Sequence, residues 1–168
     1  MLEEFKKVNN SRQQRKYLDK VAAKYRKEEM NDNIANEVLE LHEYLEKNHF
    51  YKLYEGYFED LVQEAKTYKQ EQENEQLISQ FNENQKKEYD EIISIAFDYD
   101  KPIECLYLDE KGNEVSSILI QSKNLPDEQL LKKSHTQVEY AIIQAILNHG
   151  SIHLKKGIRT LKKFKSLS

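Results

Sequence analysis

The chain has 168 residues, which is enough for one ordinary domain with a core or for a small domain with a helical extension. Hydrophobic residues make up 38% of the chain and charged residues 33%, so little apolar surface is available for burial. Four glycines and two prolines argue against the turn-rich sandwiches and barrels, and eleven tyrosines and six phenylalanines argue against full disorder.

The net charge of −4 conceals an uneven distribution along the chain. Residues 1–30 carry nine Lys and Arg against five Asp and Glu, residues 31–130 carry nine against 24, and residues 131–168 carry eight against one. Basic ends of this kind either meet an anion or fold back on the acidic middle. Lysine outnumbers arginine by 22 to 4, a bias typical of AT-rich genomes, which favours a bacterium or one of its mobile elements.

The sequence also predicts the cellular compartment. Charged residues begin at Glu3, which leaves no apolar signal segment at the N-terminus, and no apolar run approaches the ~18 residues of a membrane span. Cys105 is the single cysteine, so no intramolecular disulfide framework can form. We therefore expect a cytoplasmic protein that does not engage a membrane.

The first half of the chain has helical periodicity. Apolar residues at helical spacing predict one helix over 11–28 and a second over 31–48, and a third stripe covers 50–68. Residues 69–76 include no apolar side chain, so this segment is either a polar hinge or a solvated helix. The helical pattern then resumes over 77–96.

The period changes after residue 100. Ile103–Asp109 and Glu114–Gln121 are rich in β-branched and aromatic residues, and Gly112 lies in the turn between them. These features predict a β-hairpin. Because both strand faces are apolar, we expect helices to cover at least one face and to contact four side chains: Leu106, Leu108, Ile118 and Ile120.

Helical spacing returns in the C-terminal third. Pro126 suits the first turn of one helix, the Thr136–Glu139 spacing is that of a capping box, and Gly150 suits a helix end. Ser151 then opens a last predicted helix. Its apolar side consists of Leu154, Ile158, Leu161 and Phe164.

The other side of that last helix is the leading candidate for a functional surface. A cationic face with no acid meets phosphates, which release counterions when they are neutralised. The predicted nucleic-acid-binding residues are Lys155, Lys156, Arg159, Lys162, Lys163 and Lys165. Gly150 and Ser151 between two helices loosely resemble the turn of a helix-turn-helix, which implies that the last helix would be the recognition helix. The alternatives are a solvated helix, one docked on the acidic middle, and one that meets an acidic protein or a membrane surface.

A cluster of aromatic residues in the third stripe is the candidate for a protein interface or for base stacking. It consists of Tyr51, Tyr54, Tyr57 and Phe58. At helical spacing the same residues also fit an intramolecular helix seam.

No pattern in the chain indicates catalysis, a metal or a cofactor. His149 and His153 have the four-residue spacing of a helical metal pair, but Gly150 lies between them. Cys105 falls in an apolar strand and is expected to be a core residue rather than a reactive thiol. We therefore expect a non-enzymatic protein with no small-molecule substrate.

Together these patterns predict an α+β fold that is predominantly helical, with several N-terminal helices, one β-hairpin and two or three C-terminal helices. The predicted regions are a helical region over 1–68, the polar segment 69–76, and a region over 77–168 that contains a helix, the β-hairpin and the C-terminal helices. The sequence leaves open whether they form one domain. The functional expectation is a nucleic-acid-associated regulatory or accessory protein. The alternative is a helical adaptor or inhibitor that acts on a protein partner through its acidic central surface. A second copy of the chain is a further candidate partner, and residues 50–68 are the best candidate for such dimerisation.

Overall fold

The computed structural model describes residues 1–50, 56–97, 102–120 and 127–165. The α+β, helix-dominated fold class is confirmed. The chain divides into two compact units, Met1–Lys69 and Gln70–Ser168, and each has its own hydrophobic core. The division falls within one helix.

The first unit is helical throughout its described part. It contains α1 (Leu2–Lys6), α2 (Ser11–Tyr25), α3 (Asp32–Lys47) and the first three turns of α4 (Tyr57–Ser79). Asn10 and Asn31 cap α2 and α3, since each side-chain oxygen accepts a hydrogen bond from the backbone three residues on. The apolar stripes meet in a core that includes Phe5, Leu18, Val38, Leu41, Leu45, Phe58 and Leu61.

The polar segment 69–76 is helical and forms part of α4. It is not solvated throughout, because Asn74 is only 1% exposed. The Asn74 side chain donates a hydrogen bond to the Thr136 carbonyl at 3.1 Å and accepts one from Gln70 at 3.0 Å. A segment without apolar residues is therefore held by buried amide hydrogen bonds, which periodicity does not reveal.

The second unit contains the rest of α4, two further helices and a sheet. The helices are α5 (Glu83–Ala96) and α6 (Glu128–Leu147). The strands are β1 (Ile103–Leu108), β2 (Glu114–Ile120), β3 (Ser151–Lys156) and β4 (Arg159–Lys165). All pairs are antiparallel, in the order β2-β1-β3-β4. A capping box of Asn82 and Gln85 opens α5, so the helical pattern over 77–96 is divided between two helices.

The predicted hairpin over 103–121 is confirmed as β1 and β2. Helix α6 packs on one face of the sheet, and that face buries Ile103, Cys105 and Tyr107 of β1. The expectation that Leu106 and Leu108 meet the helices was wrong, because they alternate with the buried residues and belong to the opposite face. Ile118 and Ile120 do pack into the core.

The largest correction concerns the C-terminus. Residues 151–165 form a second hairpin, β3 and β4, and not the predicted last helix. Two or three C-terminal helices were expected, and the described residues of this part of the chain form one, α6, within which the Thr136 hydroxyl donates to the Lys132 carbonyl at 2.7 Å. With a strand after Gly150, the loose resemblance to a helix-turn-helix is also wrong.

Replacement of Asn74 by Ala is expected to destabilise the protein by about 1–3 kcal/mol, because buried hydrogen bonds are lost. Asn74 also bonds to the carboxylate of Glu139, whose pKa is raised by burial and lowered by this bond. The variant should therefore raise the pKa of Glu139 further. Urea denaturation checks the stability, and Glu75→Ala, at an exposed position on the same helix, is the control. Equal stability of the two variants would contradict the prediction.

Candidate nucleic-acid interface

The predicted basic residues lie on the hairpin Ser151–Lys165, which is called the basic hairpin from here on. Its first strand alternates buried Ile152 and Leu154 with more exposed His153 and Lys155, the pattern of a strand with one covered face. Lys156 pairs with Arg159, so the loop between the strands has two residues. Gly157 has a φ of 60° at the first loop position, where tight hairpin turns favour glycine.

The described cations occupy both faces of the basic hairpin. Lys155 and Lys163 share the face directed away from α6, because Lys155 lies two residues after His153 and Lys163 pairs with it. Lys156 and Arg159 pair on the other face, beside the turn, and both are exposed. A two-stranded ribbon with cations on both faces can meet phosphates on either side of a groove.

Two of the six predicted cations are described only in part. The backbones of Lys162 and Lys165 lie in β4, opposite Leu154 and Ser151. Their side chains lie outside the described residues. The structure therefore positions four of the six predicted side chains, all on one hairpin.

The charges of Lys155 and Lys163 act on His153, which lies in the first strand of the basic hairpin. Its pKa is lowered from the ordinary value by partial burial and then by the charges of Lys163 and Lys155. The Ser151 hydroxyl lies 3.5 Å from its Nε2 atom. Burial is the larger of these causes, and the two lysine charges add to it in the same direction.

Carboxylates on the sheet lie on the other pair of strands. Glu104 of β1 lies across from Lys155 and accepts a hydrogen bond from the Ser117 hydroxyl at 2.7 Å. Glu114 lies at the start of β2, next to the β1–β2 turn. The sequence contains no Asp or Glu after Glu139. The charges are thus segregated, with cations on β3 and β4 and acids on β1 and β2.

The predicted aromatic interface is only partly visible. Tyr51 and Tyr54 lie outside the described residues. Phe58 is 2% exposed and belongs to the core of the first unit, so it offers no surface to a partner. Tyr57 is 60% exposed, with the Arg26 guanidinium 5.2 Å from its ring centroid. For Phe58 the intramolecular interpretation is therefore correct.

The remaining candidates for a reactive or metal-binding residue occupy positions that the fold itself explains. Cys105 is fully buried, and burial raises the pKa of its thiol to about 12, so it is a core residue as expected. His149 has a φ of 56° at the end of α6, whereas His153 lies in a strand, so their spacing is not helical. Asp109 accepts hydrogen bonds from the backbones of Lys111 and Asn113 and stabilises the first hairpin turn.

Known proteins add no constraint. Compared with protein-family models, curated proteins and solved structures, the chain has no significant match to any of them.

Sequence reasoning missed a cleft of about 500 Å³ in the second unit. The cleft has the size of many small-molecule sites, and its lining is uncharged. The lining residues come from segments far apart in the chain, which is why no motif indicated it. They are Gln70, Tyr107, Val115, Ser116, Ile118, Gln137, Tyr140, Ala141, Gln144 and Asn148.

Within the described ranges, none of the helices has the length and apolar character that a membrane crossing requires.

Acidification is expected to destabilise the folded protein partly through His135 and His153. Burial lowers the pKa of both below 6.5, His135 being stacked on Phe97 with ring centroids 4.1 Å apart. Between the folded-state pKa and 6.5 the unfolded state binds more protons, so stability falls as pH falls through this window. The raised pKa of Glu139 acts in the opposite direction at lower pH.

The measurement is the urea midpoint of the wild type and of His153→Gln at pH 8.0 and 6.0. The variant should lose less stability on acidification than the wild type does. At pH 8.0 both states of the wild type leave His153 neutral, so this pH serves as the internal control. An identical drop in the two proteins would contradict the contribution of His153.

Proposed function

We propose that the protein binds nucleic acid through the basic hairpin, without catalysing a reaction. The supporting observation is the segregation of charge on the sheet. Lys155, Lys156, Arg159 and Lys163 lie on one two-stranded ribbon, and the sequence has no acid from residue 140 onwards. Neutralised phosphates release counterions, so such a surface gains affinity for any nucleic acid backbone.

Lysine dominates this surface, which favours contact with the backbone over the recognition of bases. Arginine is the better bidentate partner of guanine, and Arg159 is the one arginine on the hairpin. A two-stranded ribbon also suits duplex DNA, because β-ribbons bind in its major or its minor groove. We therefore propose duplex DNA as the ligand and little direct recognition of sequence.

The biological role in this proposal is that of a regulatory or accessory factor in a bacterial cytoplasm, encoded by a mobile element or phage. Composition supports this role, namely the excess of lysine over arginine and the single cysteine. The alternative is an adaptor or inhibitor that acts on a protein partner through the acidic residues of 31–130.

The test is fluorescence anisotropy with a labelled 20-base-pair duplex at 50 and 200 mM salt. With three to four phosphates neutralised, affinity should fall by roughly 40- to 150-fold between the two salt concentrations. Duplexes that differ in sequence but are equally deformable should bind alike. Absence of binding at 50 mM salt, where the attraction is strongest, would overturn the proposal and favour a protein partner for the acidic residues.

A further inference from the structure

The tip of the basic hairpin carries a fully exposed apolar side chain. Ile158 occupies the second position of the two-residue turn, and its relative exposure is 104%. Gly157 before it would meet no atom within 4 Å if it bore a Cβ, so the space beside this residue of the turn is also open. An isoleucine at this position buries no apolar area in the fold, and the exposure of its side chain to water is unfavourable.

The surroundings of Ile158 are polar and cationic. Lys156 and Arg159 flank it in sequence and pair with each other across the strands. One step further from the tip, Lys155 pairs with Thr160 on the opposite face. The single apolar side chain therefore projects beyond two pairs of residues that carry three cations.

We infer that Ile158 is a wedge that inserts between neighbouring base pairs of duplex DNA and bends it. The inference rests on the proposed function and adds a deformed duplex as the preferred ligand. Apolar side chains that enter base steps from the minor groove unstack them and kink the helix. Cations on both faces of the tip would meet the phosphates that border the groove and hold the isoleucine at the step.

A deformable base step is the expected target. Pyrimidine–purine steps such as TpA unstack more easily than A-tracts, so a wedge prefers them without contacting the edges of the bases. This preference is indirect and agrees with a surface dominated by lysine. It also separates the role of Ile158 from that of the cations, which act on every sequence alike.

A lipid surface is the less favoured partner for this tip. Interfacial membrane segments need a broad apolar face, often with Trp or Phe, in addition to cations. From residue 155 to residue 160 the hairpin has one apolar side chain besides a glycine. One isoleucine suffices to open one base step, whereas it gives little apolar area to a membrane.

The experiment uses the full chain and two 20-base-pair duplexes, one with a central TpA step and one with a central A-tract. A donor and an acceptor dye at the duplex ends report bending, and anisotropy reports affinity over a range of salt. The variants are Ile158→Ser and Ile158→Leu, the second of which keeps an apolar wedge. Val115→Ser is the matched control, because Val115 is 55% exposed on β2.

The wild type should bend the TpA duplex and bind it more tightly than the A-tract duplex. Ile158→Ser should lose roughly ten-fold in affinity for the TpA duplex, because insertion no longer buries an isoleucine side chain. Its salt dependence should stay that of the wild type, and Ile158→Leu and Val115→Ser should keep both bending and preference.

Three results would overturn the inference. Equal bending and preference in Ile158→Ser and the wild type, with the salt dependence intact, would remove the wedge and leave the proposed function standing. Ile158-dependent sedimentation with vesicles of phosphatidylserine and phosphatidylcholine, without DNA bending, would assign the tip to a lipid surface. A wild type that binds neither duplex at 50 mM salt would overturn the proposed function together with the wedge.

Discussion

Replacement of Lys155, Lys156 and Arg159 by Ala is expected to abolish most of the affinity for duplex DNA. Each phosphate contact contributes about 0.9 to the slope of log affinity against log salt, so the triple variant should flatten the slope by about two to three. At 0.1 M salt this corresponds to a loss of roughly two to three orders of magnitude in affinity. Sequence preference should stay unchanged, since backbone contacts carry no sequence information.

A matched variant separates local contact from net charge. Lys86, Lys87 and Lys111 are exposed and lie on α5 and on the first hairpin turn, away from the basic hairpin in the chain. Their replacement by Ala removes the same three charges. Affinity measured by anisotropy should then change far less, because the phosphate contacts remain. If both triple variants lose the same affinity, or neither does, the basic hairpin is not the contact surface.

The fold was predictable wherever local pattern and tertiary structure agree. The stripe from Ile34 to Leu45 predicted α3 correctly, because the apolar residues that repeat every 3.6 residues are the ones that the helix buries. The hairpin β1–β2 followed from strand composition and from Gly112, which has a φ of 84°. The faces of β1 were not predictable, because Cys105 and Leu106 are both apolar, and only packing against α6 selects one.

The second hairpin was missed because two periods coincide in it. Leu154, Ile158 and Phe164 fit a helical stripe, yet in the structure they are buried, fully exposed and half-buried. The alternation of Ile152 and Leu154 with polar residues favours a strand, but it covers few residues. What decides is the pairing of β3 with β1, about 48 residues away in the chain, which no local pattern contains.

The sequence predicted which cations cluster in the candidate site, but it predicted the wrong local structure for them. The cations cluster in sequence, so any local structure keeps them near one another. A helix would have placed them on one side, whereas the hairpin places Lys155 and Lys163 on one face and Lys156 and Arg159 on the other. The helical interpretation also made Ile158 a core residue, which concealed the exposed tip. The burial of Phe58 agrees with the intramolecular seam, one of the two interpretations that were left open because periodicity does not show which partner fills a stripe.

Gly150 connects α6 to the basic hairpin, and its role differs from the one predicted. Helix α6 ends with His149 in the left-handed conformation, at a φ of 56°, and the Gly150 amide donates to the Ala145 carbonyl at 2.8 Å. Glycine is therefore not needed at residue 150 for its φ. It is needed for space, because a Cβ there would lie 2.3 Å from the Leu108 carbonyl oxygen and 2.7 Å from a ring carbon of Tyr107.

Replacement of Gly150 by Ala is expected to destabilise the protein by about 3 kcal/mol, near the upper end for overpacking, because a backbone carbonyl cannot rotate away. Urea denaturation measures the loss. Gly112→Ala is the control for backbone strain alone, since Gly112 has a positive φ and open space around it, and it should cost about 1–2 kcal/mol. His149→Gly should be neutral or stabilising by up to about 1 kcal/mol, because glycine relieves the left-handed strain. If Gly150→Ala proves no more costly than Gly112→Ala, a Cβ at residue 150 does not clash with β1, and the close approach of Gly150 to that strand is contradicted.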